Sequence, residues 1–258
     1  MRVPVSVLSV DGFVAQVVNL ITHGYRYYFT GTVKAGKDPA AMDGRMVAHY
    51  EADQPKWTRE RRKLAGKANF RYLRYADFFI VLATEGEAPQ FWAEDRDRVR
   101  DIRNVPLRFD GYSISYRRGG YAKMTHHEKQ MRTEQWDAFR EDVAAGRTAV
   151  APEPARRDDR WHAHVRLMDE VYLGLKAHFL NRAVHREGGK LAQEFLALSY
   201  QPYGPVRTQY RTILRAVNRL RQRAGYERIP LSVLPFKRRI VPIFAPLVIG
   251  EEIERKVA

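Results

Sequence analysis

The sequence contains no cysteine, and that absence excludes several classes of chemistry at once. A chain without thiols has no disulfide, no thiolate nucleophile and no cysteine-ligated zinc or iron–sulfur site. Long apolar runs are also missing, since VVNLI and FFIVLA soon meet polar residues and fall well short of the ~18 residues of a membrane-spanning helix. The opening MRVPVSVLSVDG is typical of folded structure rather than of a signal peptide. We therefore expect a cytoplasmic protein with no membrane partner.

Acidic residues are scarce relative to basic ones. The chain has 45 Lys and Arg against 30 Asp and Glu, which gives a net charge of +15. Residues 55–75 hold eight basic residues and one acid, and residues 205–239 hold ten and one, so the rest of the chain is nearly neutral. Clustered charge that is mostly arginine suits a row of phosphate oxygens. The composition favours nucleic acid over an anionic membrane surface, because neither segment has the large apolar face of an interfacial helix.

The order of the predicted elements indicates an α+β fold with a mainly antiparallel sheet flanked by helices. At 258 residues and 45% hydrophobic composition, the chain is long enough for one large domain or two small ones. Helices are expected to begin with Asp11 as their cap, with Asp38 as cap before Pro39, and at Thr125, where Glu128 completes a capping box. Strands are expected in RYYFTGTV, in a pair turning at Ala76-Asp77, and in the hairpin VPLRFDGYSISY, which turns at Asp110-Gly111.

The stretch TAVAPEPARRDD, at about 147–160, is rich in proline and charge and is the best connector candidate. After it, Asp169 is expected to cap a helix that runs to His185. We predict an α+β sheet domain over residues 1–186. Residues 187–258 are predicted to form a basic helical region that ends in an extended arm, since prolines alternate there with β-formers.

The helical pattern from Val206 to Ala224 is the longest in the chain. Four arginines recur every four residues and form one ridge, at Arg207, Arg211, Arg215 and Arg219. With the preceding helix KLAQEFLALS and a short turn, the pattern resembles a helix-turn-helix, with Asn218 and Gln222 placed to read base edges. The alternative is an α-hairpin whose arginines are merely solvated or paired with acids.

In the first basic segment, aromatic and arginine residues interleave in KANFRYLRY. Such a surface stacks single-stranded bases, but core aromatics with outward arginines explain the pattern equally well. The residues predicted to bind nucleic acid are Arg59, Arg61, Arg62, Lys63, Arg71, Arg74, Arg207, Arg211, Arg215, Asn218, Arg219, Arg238 and Arg239.

The stretch WHAHVRL, residues 161–167, has the alternation of a strand with one core face. The other face carries His162, His164 and Arg166. Two imidazoles two positions apart on a strand are able to hold a divalent ion with a third ligand from a neighbouring strand. A face that contacts phosphate without any metal is the alternative.

His162-Ala163-His164 resembles the His-hydrophobic-His motif of the HUH single-strand DNA endonucleases, a family of replication initiators, relaxases and some transposases. The resemblance implies a central strand of an antiparallel sheet and Mg²⁺ or Mn²⁺ on His162 and His164. It also implies a helix-borne tyrosine that attacks DNA and becomes linked to its 5′-phosphate.

Tyr172 and Lys176 look like the Tyr-x-x-x-Lys motif of the initiators, although that motif normally follows the histidines at a greater distance. Tyr210, on the arginine-rich helix, is the rival nucleophile. Glu85 and Glu87 are the candidates for the third metal ligand.

The sequence thus predicts a nucleic-acid-binding protein, with DNA favoured over RNA, from a replication or mobile-element system. One alternative is the metal-dependent HUH-type endonuclease. A further alternative is an RNA-binding subunit of a ribonucleoprotein complex, in which other proteins are partners.

Overall fold

The computed structural model describes residues 5–119, 124–154, 159–198, 202–236 and 244. The helices in these ranges are α1 (Val10–Thr22), α2 (Pro39–Tyr50), α3 (Lys56–Leu64), α4 (Pro89–Glu94), α5 (His126–Ala144), α6 (Asp169–Arg182), α7 (Gly188–Ala197) and α8 (Gly204–Arg223), with a 3₁₀ turn at Leu231–Val233. The strands are β1 (Tyr25–Thr32), β2 (Phe70–Tyr75), β3 (Phe78–Thr84), β4 (Arg100–Asp101), β5 (Leu107–Phe109), β6 (Tyr112–Arg118) and β7 (Trp161–Leu167).

These strands form two sheets and confirm the predicted α+β class. The first sheet has the order β2-β3-β1-β4 with antiparallel pairing throughout, and the second has the order β5-β6-β7. The β5–β6 hairpin is antiparallel. The Met168 amide donates to the Gly111 carbonyl, and the Ser115 hydroxyl donates to the His164 carbonyl. Residue numbers therefore rise along β7 as they fall along β6, so these two strands are also antiparallel.

Strand β3 lies inside the first sheet and is covered on both faces, as its nearly all-apolar sequence predicted. Ile80 and Leu82 belong to a core that also takes in the apolar face of α1. Phe79, Val81 and Ala83 point to a second core, which residues of α2 partly cover. The alternation of side chains along one strand therefore divides the interior into two layers.

The chain forms two compact units. One comprises residues 1–116 and 163–258, and the other comprises residues 117–162, which include α5. The limits between them fall inside β6 and β7. The boundary predicted after residue 186 stays a prediction, while these units divide the chain elsewhere.

Several turn and cap predictions are confirmed, and two are wrong. Asp38 caps α2 by accepting from the Ala40 and Ala41 amides at 2.9 and 3.1 Å. At the β5–β6 turn, Asp110 and Gly111 both have positive φ, of 42° and 80°. The capping box of Thr125 and Glu128 opens α5.

The first wrong cap is Asp11, because Ser9 accepts from the Gly12 amide at 3.1 Å and α1 begins earlier. The second is Asp169, which is already the first residue of α6 and pairs with Arg166 at 3.1 Å. In both cases a carboxylate in the first turn favours the positive end of the helix dipole and imitates a cap in the sequence.

Helices α6, α7 and α8 are joined by one aromatic stack and one buried arginine. The rings of Phe179 in α6 and Phe195 in α7 stack with centroids 4.1 Å apart. Arg221 of α8 is only 6% exposed and donates to the carbonyls of Ala183, Arg186 and Glu227. Its guanidinium therefore serves backbone acceptors that the end of α6 leaves unsatisfied.

Among the described residues, no helix has the length and apolar character required to cross a bilayer.

Candidate nucleic-acid interface

Helix α8 has one buried face and one exposed basic face, as the sequence predicted. Its buried face consists of Val206, Tyr210, Ile213, Leu214 and Val217. On the exposed face lie Arg211, Arg215, Arg219 and Arg223, which we call the α8 arginine row. Arg223 was missing from the predicted set, although it continues the four-residue spacing and that spacing identifies it.

Two side chains fix the position of α8. Gln209 donates to the Leu167 carbonyl at 3.2 Å and accepts from the Leu167 amide at 2.9 Å, so it pairs with the end of β7 as another strand does. Arg207 is half-buried and donates to the Phe236 carbonyl at 3.2 Å. Arg207 thus leaves the predicted ridge, because its guanidinium holds the segment that follows the helix.

The α8 arginine row has no acid against it within the described part of the chain, where no carboxylate lies within salt-bridge distance of its four guanidiniums. Arg211 lies over the Phe236 ring at 4.9 Å, which orients the side chain without neutralising it. Thr208 and Thr212, on the same face, donate to carbonyls one turn back at 3.1 and 2.9 Å. Because these hydroxyls already donate within the helix, the side-chain groups of this face that are left to bind a ligand are almost all cationic.

The contacts of Asn218 oppose its predicted role in reading base edges. Its amide donates to the Ile229 carbonyl at 2.8 Å and its oxygen accepts from the Ile229 amide at 2.9 Å. Both ends of the side chain are used to hold the segment after α8. Gln222, by contrast, is exposed.

In the first basic segment, two of the predicted binding residues, Arg62 and Arg74, form ion pairs with acids of the same chain. Arg74 binds Asp43 with two bonds of 2.7 and 2.9 Å, and each side chain is 12% exposed. Tyr72 donates to the same carboxylate at 2.7 Å. Arg62 pairs with Glu51 and donates to the Ala68 carbonyl. Arg74 thus holds α2 to strand β2, and Arg62 links α3 to the end of α2 and to the chain before β2.

The other residues of this segment divide by exposure. Arg61 and Lys63 are exposed on α3. Arg59 and Arg71 are half-buried, and Arg71 donates to the Ala52 carbonyl at 3.0 Å. Phe70 and Tyr72 are buried in the core, so the core explanation of the aromatic pattern is correct and these rings offer no stacking surface. Arg238 and Arg239 lie outside the described residues.

The two histidines of WHAHVRL lie on β7, and its core face is confirmed at Val165 and Leu167. Trp161 departs from the prediction, since it is 42% exposed. His162 is exposed and His164 is half-buried. The limit between the two compact units falls between His162 and the next residue, so each histidine belongs to a different unit.

The resemblance to the HUH family implies a central strand, whereas β7 is at the edge of the order β5-β6-β7. Within the described ranges, no group of three or more His, Asp or Glu side chains is placed to hold a metal. Glu85 lies within 3.6 Å of Arg26 and 3.3 Å of Arg103, and Glu87 is likewise exposed. The Mg²⁺ or Mn²⁺ on His162 and His164 stays a prediction.

The two candidate tyrosines differ in accessibility. Tyr210 is 4% exposed, and burial raises its pKa well above the usual range. A phenol that is buried and resists ionisation is a poor nucleophile, which opposes a catalytic role for Tyr210. Tyr172 is half-buried against the core, one turn before the half-buried Lys176 on α6. Of the two, Tyr172 remains the candidate.

Compared with known proteins, the chain matches no family model, no curated protein and no solved structure. The fold is α+β, with an exposed basic face on α8.

Proposed function

We propose that the protein binds double-stranded DNA through the α8 arginine row. The observation that carries the proposal is the row itself: Arg211, Arg215, Arg219 and Arg223 are exposed along one face of one helix, without a described acid beside them. Like charges four residues apart repel in the free protein by a few tenths of a kcal/mol per pair. A phosphate backbone removes that repulsion and releases its own counterions.

The dimensions of α8 suit a groove of the duplex. A helix of 20 residues is ~30 Å long, and with its side chains it is ~10–12 Å across, which matches the ~12 Å width of the major groove of DNA. Successive arginines of the row are ~6 Å apart along the axis. The pair formed by Gln209 and Leu167 anchors the helix on β7, so its exposed face is presented on a fixed support.

DNA is favoured over RNA for a geometric reason. The major groove of an RNA duplex is deep and narrow, and an α-helix does not enter it. Direct comparison of a DNA duplex with duplex and single-stranded RNA in a binding assay tests this point, and a preference for either RNA would instead support the ribonucleoprotein alternative.

The test is a salt titration of binding. Each phosphate contact contributes about 0.9 to the slope of log affinity against log salt. We expect Arg211→Gln, Arg215→Gln and Arg219→Gln, combined in one protein, to reduce that slope by about 2 to 3 on a labelled DNA duplex. The helix should remain folded, because Gln and Arg have similar helix propensities.

A matched control removes the same charge elsewhere. Lys37→Gln, Arg45→Gln and Arg96→Gln, also combined, change three exposed residues outside α8 and should leave the slope nearly unchanged. Equal losses in the two triple variants would show attraction by net charge alone and would contradict a role for the row.

The endonuclease alternative keeps one favourable observation, the exposed His162 on an antiparallel strand. Incubation with Mn²⁺ and labelled single-stranded hairpins tests it. A covalent adduct that Tyr172→Phe abolishes, and that Tyr210→Phe leaves intact, would support this alternative. The absence of both cleavage and adduct on varied hairpins would remove it.

A further inference from the structure

A cavity of about 540 Å³ lies beside the first basic segment and is distinct from the α8 arginine row. It opens where the end of α1, the start of β1, α3 and β2 meet. Four cationic side chains line it: Arg26, Arg59, Lys63 and Arg71. Its volume is within the ~300–1,000 Å³ that small-molecule sites occupy in proteins.

A β-bulge lies at Arg26, one of the residues that line this cavity. In the pairing of β1 with β3, Tyr25 is opposite Thr84 and Tyr27 is opposite Ala83, so Arg26 is the extra residue. Tyr25 and Arg26 both line the cavity, as do the consecutive residues Arg71, Tyr72 and Leu73 of β2.

Arg59 and Arg71 bring like charges together at the Tyr25 hydroxyl. Arg59 donates to the Tyr25 hydroxyl at 3.3 Å, and the same hydroxyl also contacts Arg71. Burial, followed by the nearby Arg59 charge, lowers the pKa of the Arg71 guanidinium. Two cations held close together and partly out of water destabilise the empty pocket, and a bound anion would relieve that cost.

The Nε atoms of Arg26 and Arg59 are buried and have no hydrogen-bond partner among the described residues, which adds to the cost of holding these guanidiniums inside the fold. Two acids line the cavity. Glu85 lies 3.6 Å from Arg26, whereas among the described residues neither Glu60 nor Glu85 forms an ion pair with Arg59 or Arg71.

We propose that this cavity binds the phosphate monoester of a nucleotide. Guanidinium groups bind phosphate oxygens with paired, charge-assisted hydrogen bonds, and Arg26, Arg59 and Arg71 supply three of them. The space beyond the phosphate is lined by Gln16, Asn19 and His23, whose polar groups suit a sugar or base. The monoester belongs either to a free mononucleotide or to the 5′ end of a strand. The proposal needs no contribution from α8.

The experiment measures the affinity of the full chain for inorganic phosphate, for a mononucleotide, and for one short oligonucleotide with either a 5′-phosphate or a 5′-hydroxyl. We expect phosphate and at least one nucleotide ligand to bind. A preference for the 5′-phosphorylated strand identifies a strand end as the source, and binding of the mononucleotide without that preference identifies a free nucleotide. Arg59→Gln should weaken binding at least ~10-fold.

Two further variants separate the pocket from folding and from net charge. Arg59→Lys keeps the charge but loses the paired geometry, and it should also bind more weakly while its thermal unfolding matches the unaltered chain. Arg61→Gln removes the same charge from the exposed side of α3 and should bind as the unaltered chain does.

The proposal would be overturned if none of the four ligands binds. It would also be overturned if Arg61→Gln weakens binding as much as Arg59→Gln does. The triple variant of the α8 arginine row should bind the monoester normally. Failure of the α8 proposal and failure of this one are therefore distinguishable.

Discussion

The two basic segments look alike in the sequence and differ in the fold. On α8, the arginines of the row project into solvent and contact no described acid. In the first segment, Arg74 and Arg62 pair with acids, and Arg59 and Arg71 turn toward a cavity. The same residue type therefore supplies an extended cationic surface in one place, and ion pairs and a pocket in the other. What separates them is burial, not charge.

Burial also sets the energy that each arginine contributes. An exposed guanidinium is screened by water and salt, so its removal changes stability little. A guanidinium paired inside the fold leaves an unpaired buried charge when it is removed. Substitution of a paired arginine in the first segment should therefore lower the free energy of unfolding. Substitution in the α8 arginine row should lower DNA affinity and leave the free energy of unfolding nearly unchanged.

The largest effect is expected at the internal pair of the first segment. Arg74→Gln leaves Asp43, which is 12% exposed, without its cation, and we expect the free energy of unfolding to fall by about 3 kcal/mol. Urea denaturation measures the loss. Arg61→Gln, in the same segment but exposed, should stay within about 0.5 kcal/mol of the unaltered chain. Similar stability for both variants would break the distinction between paired and exposed arginines.

A smaller effect is expected at Asn218 on α8. Asn218→Ala removes both bonds to Ile229, whose backbone is held at 2.8 and 2.9 Å, and should lower the free energy of unfolding by about 1–2 kcal/mol. Affinity for DNA should not change. The matched variant is Gln222→Ala, one turn further and exposed, which should not affect stability. A change of base preference without a loss of stability would restore Asn218 as a reader of bases.

The smallest effect is expected from competition between the two regions. Inorganic phosphate, added at constant ionic strength, should displace the nucleotide from the cavity and change duplex affinity at the α8 arginine row by less than about twofold. Fluorescence anisotropy of a labelled duplex lacking 5′-phosphates measures this. A large loss of duplex affinity, reproduced by Arg59→Gln, would show that the cavity holds the strand itself and that the two regions act as one.

Local signals explain why much of the fold was predictable. The apolar run of β3, the Asp110-Gly111 turn and the capping box at Thr125 act over a few residues, so their outcomes follow from nearby chemistry. The spacing of the α8 arginines likewise survives into the structure, because helical periodicity alone sets which residues share a face.

The site was predictable only in part, because the partners of a charged side chain are distant in the sequence. Asp43 is 31 residues from Arg74 in the sequence, and no residue near Arg74 indicates that the two form an ion pair. Arg26 was not among the predicted residues, since its place at the cavity depends on how β1 packs with α1, α3 and β2, which are distant in the sequence. The sequence places Asn218 beside the arginine ridge and so predicts base reading, whereas its bond to the Ile229 carbonyl depends on how the chain folds back after α8.

By itself the sequence determined the α+β class, the clustering of positive charge and the amphipathic period of α8, since each depends on composition or on neighbours along the chain. Only the tertiary structure decided which guanidiniums face water, which pair with carboxylates and which line a cavity. Those outcomes depend on the packing of segments far apart in the sequence, and burial changes the energy of a charge far more than its neighbours in the chain do.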